Sequence, residues 1–78
     1  MANTGLDLGS PVPLWEQLAA ILRDQIKRGE LSGRIPSAKT LAQQYETSSR
    51  TSERALGALK AEGLVVAVIG KGFYTAPK

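Results

Sequence analysis

Seventy-eight residues with no cysteine and no histidine fit one small domain and leave out disulfides, thiolate metal sites and the commonest general base. The net charge of +3 is unevenly placed: residues 1–33 carry three basic and four acidic side chains, whereas residues 34–78 carry seven and three. That asymmetry points towards an anionic partner for the second half. No set of acid, base and nucleophile is visible, so neither an enzyme nor a bound cofactor is expected.

The longest apolar run, "LVVAVI" at Leu64–Ile69, is too short to span a membrane. The opening "MANTGLDLGS" has no basic region followed by an apolar one, so no secretion signal is expected and the default is a soluble cytoplasmic domain. Residues 1–11 read as a flexible tail and residues 12–76 as the folded domain.

Pro13 suits the first position of a helix, where its missing N–H is harmless. Leu14, Leu18, Ile21, Leu22 and Ile26 then recur at helical spacing, with Trp15 and Ala19 widening the stripe and Gly29 as a stop. Trp15 at this spacing is read as core packing rather than as a ligand platform. In the short connection "ELSGRIPS", the proline restricts Ile35 to an extended conformation. Ser37 is the N-cap candidate for "AKTLAQQYE", whose Leu41, Ala42 and Tyr45 form one apolar face.

"TSS" breaks the pattern before a third helix running to about Glu62, with Ala55, Leu56 and Leu59 inward and Gly63 as its stop. Ser48 is the preferred cap, with Thr47 and Ser49 as alternatives. Branched residues dominate the remainder, and "GKG" between two extended segments suggests a hairpin. The order is helix, helix, helix, hairpin. The second and third helices are separated by only about three residues, which matches a helix-turn-helix.

The third helix opens with "SSRTSERAL", although serine and threonine are mediocre helix formers. A helix entering the DNA major groove needs short hydrogen-bonding side chains and positive charge at that end. Ser48, Ser49 and Thr51 suit phosphate contact, assisted by the free N–H groups of the helix start. Arg50 suits a two-pronged bond to guanine, and Arg54, one turn on, suits a base or an adjacent phosphate. The plainer alternative is a capped surface helix with solvated charges. The preceding short helix, the basic half and the glycine-lysine hairpin tip weigh together against it.

Four segments in order, "PLWEQL", "IPSAKTLA", "SSRTSERALGALKAEGLV" and "GKGFYT", resemble the DNA-binding domain of GntR-family transcriptional regulators over roughly residues 12–76. That family's patterns there are "PLYEQI", "LPSxRxLA", "SxRTVxRALxxLxxEGLV" and "GxGTFV". The resemblance implies a mainly α fold with a small β-hairpin, a winged helix-turn-helix. Lys39 falls on a family arginine that contacts DNA beside the recognition helix, and Ser37 belongs to the same matched segment. Ser48, Ser49, Arg50 and Thr51 fall on the helix-start positions that touch phosphates and bases. Gly70, Lys71 and Gly72 fall on the wing tip, which typically approaches the minor groove, and Arg34 on a frequent basic position before the second helix.

Departures from the family pattern carry expectations of their own. Lys39 keeps the charge but loses the planar two-pronged donor, so phosphate contact is expected there. Ala38 replaces a common glutamate, the connection before the second helix is about two residues shorter, and Ser52 stands where a buried valine is usual. These regulators normally continue into a ligand-binding, dimerising domain, whereas this chain ends at Lys78. No small-molecule effector is therefore expected within it. The strand "VVAVI" is apolar on both faces, which suggests either a fuller core or a contact surface. The reading is a sequence-specific double-stranded DNA-binding repressor, acting as a homodimer on a two-fold operator and not at a membrane. The alternative is a winged-helix protein-interaction module whose basic face is incidental.

Overall fold

The computed structural model describes residues 6–76. Its elements are α1 (Leu14–Lys27), α2 (Ala38–Gln44), α3 (Ser49–Ala61), β1 (Val65–Val68) and β2 (Gly72–Thr75). Three helices followed by one antiparallel hairpin make the winged helix-turn-helix that the sequence suggested.

The apolar stripes of α1 and α2 both pack against α3, because each helix can remove only one side from water. Leu18, Leu22, Ile35, Leu41 and Leu59 are each 1% exposed or less, and Ala19, Ala55, Leu56 and Val65 complete the core. Removing one such leucine side chain typically costs about 2–5 kcal/mol, a large share of the stability of a domain this small.

Helix ends follow local chemistry. Pro13 is the residue before α1 rather than its first helical residue: its ψ of 148° is extended, and its carbonyl accepts from the N–H groups of Glu16 and Gln17 at 3.0 and 3.1 Å. Ser37 caps α2 and Ser48 caps α3, which settles the choice left open among Thr47, Ser48 and Ser49. All three helices end in the same double bond pattern. The Glu30, Thr47 and Leu64 N–H groups reach back to the Gln25, Ala42 and Leu59 carbonyls at 2.8–3.0 Å. That pattern requires a left-handed residue just past the helix. Gly29 and Gly63 supply it for α1 and α3, but at the turn between α2 and α3 the residue is Glu46, with φ of 55°.

The hairpin pairs Val65 with Thr75, Val66 with Tyr74, Ala67 with Phe73 and Val68 with Gly72. Its turn closes through the Lys71 N–H to the Val68 carbonyl at 3.0 Å, with Gly70 at φ 78°. The connection before α2 does more than link helices. Arg34 bridges Tyr74, the Ile35 N–H donates to Phe73 at 2.8 Å, and the Thr75 N–H donates to Gly33 at 2.8 Å. Residues 33–35 thus run extended beside β2 and join it through an isolated bridge.

The fuller core considered for "VVAVI" is not formed. Only Val65 is buried; Val66 and Val68 are 39% and 37% exposed and Ile69 is fully exposed, because β1 leaves the helices after its first residue. Residues 1–5 of the expected tail lie outside the described residues. Residues 6–12 pack towards α1: the Gln17 side chain accepts from the Asp7 N–H at 2.6 Å and donates to the Asp7 and Val12 carbonyls at 2.9 and 2.7 Å.

Candidate nucleic-acid interface

The hydroxyls that open α3 are engaged with one another. Ser48 Oγ accepts from the Thr51 N–H at 3.1 Å and donates to Thr51 Oγ1 at 2.9 Å. Ser37 repeats the arrangement with Thr40, at 3.1 and 3.0 Å. Both helices of the helix-turn-helix are therefore fixed at their starts, each cap contributing about 1 kcal/mol. The structure gives Ser37 and Ser48 a capping role.

Ser52 is completely buried, and its hydroxyl donates to the Ser48 carbonyl at 3.3 Å. This bond to the preceding turn satisfies the oxygen inside the core. A serine is thereby accommodated at a position where the resemblance suggests a valine.

Ser49 and Arg50 are exposed at the start of α3, and Arg54, four residues after Arg50, shares its side of the helix. Arg54 lies over the ring of Trp15, its guanidinium carbon 4.8 Å from the ring centroid. Trp15 itself is half-buried at the first turn of α1, at the edge of the core rather than inside it. Lys39 is exposed in the first turn of α2, and Arg34 is exposed in the extended segment beside β2, where it lines a shallow depression with Ser37 and Thr40. Gly70, Lys71 and Gly72 form the exposed turn of the hairpin.

Ion pairs divide the cations into two groups. Arg23 on α1 grips Glu62, just past α3, through two bonds of 2.7 and 2.6 Å. This hydrogen-bonded pairing holds the Glu62 carboxyl below its usual range and raises Arg23. Arg28 pairs with Asp24 and, at 3.6 Å, with Glu30. Among the described residues, Arg34, Lys39, Arg50, Arg54 and Lys71 form no ion pair. These five lie on α2, the first half of α3, the segment before α2 and the hairpin tip, whereas the paired acids Asp24, Glu30 and Glu62 lie in or just past α1 and just past α3.

The role of Trp15 as a partner of Arg54 escaped the sequence reading. Its one signal is position: a large aromatic in the first turn of α1, at the edge of the apolar stripe. Among the described residues no group of acidic side chains is arranged to hold a metal, and no helix is long and apolar enough to cross a membrane.

Comparison with known proteins agrees with this arrangement. Residues 14–75 match the model of bacterial regulatory proteins of the gntR family. The HTH-type transcriptional repressor NagR of Bacillus subtilis is 39% identical over 72 residues, 88% of this chain and 30% of its own length. An uncharacterized HTH-type transcriptional regulator of Rhizobium meliloti, RB1450, is 40% identical over 63 residues, 78% of this chain and 26% of its own. The chain thus spans less than a third of either curated relative.

Among solved structures, YtrA from Sulfolobus acidocaldarius, a GntR-family transcription factor, superposes with a TM-score of 0.86 at 26% identity, over 99% of this chain and 83% of that one. AraR(DBD) in complex with operator ORX1 superposes with a TM-score of 0.81 at 27% identity, over 91% and 94% of the two chains. With the four sequence segments, the fold and the family match in agreement, the chain belongs to the GntR family of bacterial regulatory proteins.

Proposed function

We propose that this chain binds double-stranded DNA sequence-specifically, α3 entering the major groove and the wing tip lying against the minor groove. Arg50 reads a base edge, Arg54 a base or a phosphate, and Lys39, Arg34, Ser49, Thr51 and Lys71 contact the backbone. The observation that carries the reading is the pair Arg50 and Arg54 on one exposed side of a capped helix, neither held by a carboxylate. A guanidinium already paired with a carboxylate would have to give up that bond before meeting DNA; these do not.

The biological role we propose is that of a repressor acting in the cytoplasm by occupying an operator, in line with the naming of the relative NagR. Two copies on a two-fold site would double the base contacts that one short helix can make. The superposition on AraR(DBD), which is in complex with operator DNA, supports DNA as the partner.

Selection from random duplex DNA tests the proposal. Enrichment of one consensus, arranged as two related half-sites, is the expected result. Binding without enrichment, or no binding at low salt, would overturn it in favour of a protein-interaction role for the module.

A further inference from the structure

Arg54 lies over an aromatic ring contributed by another helix, and this contact has a consequence for recognition. Stacking engages only the face of a guanidinium. Its N–H donors point outward in the plane of the group and stay available for a base edge or a phosphate. The ring is itself held in place, because Trp15 is half-buried and Leu18 and Ala19, one turn further along α1, belong to the core. Arg54 is exposed and forms no ion pair among the described residues, so no carboxylate draws it from the ring. A free arginine on a helix surface samples many rotamers and must be ordered on binding. One resting on tryptophan, the strongest of the aromatic faces for a cation, is ordered beforehand.

We propose that Trp15 is a positioning residue for DNA recognition: its indole face holds the Arg54 guanidinium extended beside α3, with the edge donors directed to the nucleic acid. This rests on the DNA-binding reading and extends the recognition surface from the helix-turn-helix to the first turn of α1.

The test is a double-mutant cycle in the full chain, titrated on the selected duplex and on a scrambled one. Trp15→Leu keeps an apolar side chain but removes the face; it should weaken binding to the selected duplex about 3- to 10-fold. Trp15→Phe, which retains a ring, should recover most of that loss. In the Arg54→Ala background, Trp15→Leu should have almost no further effect, because the two residues act as one unit. In the free protein, Arg54→Ala should shift the near-ultraviolet dichroism of Trp15, the sole tryptophan.

Unchanged binding by Trp15→Leu, an equal loss with and without Arg54, or an unaltered Trp15 signal would each overturn the inference. Tighter binding by Trp15→Leu would show that the ring withholds Arg54, and would also overturn it. If Trp15→Leu fails to fold, the same cycle with Trp15→Phe decides, with a smaller loss and the same dependence on Arg54 expected. A wild-type chain that enriches no sequence defeats the DNA reading and this inference together. A variant that matches a wild type which does recognise its site defeats this inference alone.

Discussion

Replacing Glu46 by glycine should stabilise the protein while leaving DNA recognition intact. Glu46 sits in the turn between α2 and α3 at φ of 55°, where its Cβ crowds the backbone. The conformation is imposed by the helix ending: the Thr47 N–H must reach the Ala42 carbonyl at 2.8 Å, and the Glu46 N–H reaches Gln43 at 3.4 Å. Glu46 is exposed and makes no side-chain bond or ion pair among the described residues, so its removal carries no offsetting loss. A left-handed residue other than glycine costs roughly 1–2 kcal/mol. Glycine gives back about 0.5–1 kcal/mol through the greater freedom of its unfolded chain.

The net is a gain of about 0.5–1 kcal/mol, or roughly 2–8 °C in Tm for a domain of this size. Urea unfolding should show a raised midpoint with an unchanged slope. Glu46→Ala, which keeps the strain, should gain nothing. Loss of stability in Glu46→Gly, or an equal gain in Glu46→Ala, would refute the assignment of strain to this position.

Arg50→Ala should weaken binding to a selected site by about 1–3 kcal/mol and leave random duplex almost unaffected; an equal loss on both would make Arg50 a phosphate contact. Lys71→Ala should weaken binding to all sequences alike and lower the salt slope by about one unit, and an unchanged slope would remove the wing tip from the interface. Glu62 has a depressed folded-state pKa, so its pairing with Arg23 stabilises above the unfolded carboxyl pKa and is lost as pH falls through the folded value. Glu62→Gln should therefore unfold at lower urea than the wild type at pH 7, and the gap should shrink progressively as the pH is lowered below the ordinary carboxylate range; a gap independent of pH would contradict the pairing. Replacing Val66 and Val68, both exposed on the wing, with threonine should lower cooperativity on a two-half-site duplex more than stability. Lost stability with unchanged cooperativity would exclude that face from contact between copies.

What the sequence made legible was mostly local. A capping serine, an apolar stripe and a glycine past the stripe are decided within one or two helical turns, so Ser37, Ser48, Gly29 and Gly63 announced their elements. Glu46 adopts the same left-handed conformation as those glycines without any sign in its side chain, because neighbouring bonds impose it. Pairings between distant segments were also hidden. Residues 33–35 join the hairpin through contacts such as the Gly33 N–H to Thr75 Oγ1 at 2.9 Å, across 42 positions, and only Pro36 hinted that this stretch is extended.

The candidate site divides the same way. Arg50 and Lys71 stand out as candidates by residue type and position and Lys39 through the family pattern, but the Arg54–Trp15 contact depends on how α1 crosses α3. Ser48 is legible as the cap of α3, and its two bonds to Thr51 are the form that cap takes. The apolar wing misled: branched residues usually mark burial, but a hairpin that projects from the helices exposes both faces.

The most direct measurement is affinity for the selected duplex and for a scrambled duplex of equal length, each across a series of salt concentrations. The selected duplex should bind on the order of 10³-fold tighter or more. Of the five cations assigned to the interface, Arg34, Lys39, Arg50, Arg54 and Lys71, none of which forms an ion pair among the described residues, Arg50 is assigned to a base. Arg34, Lys39 and Lys71, with Arg54 on a base or a phosphate, imply a slope of log K on log salt of roughly −2.7 to −3.6 per bound copy, about 0.9 per phosphate. Equal affinity for the two duplexes, or an affinity indifferent to salt, would contradict the account.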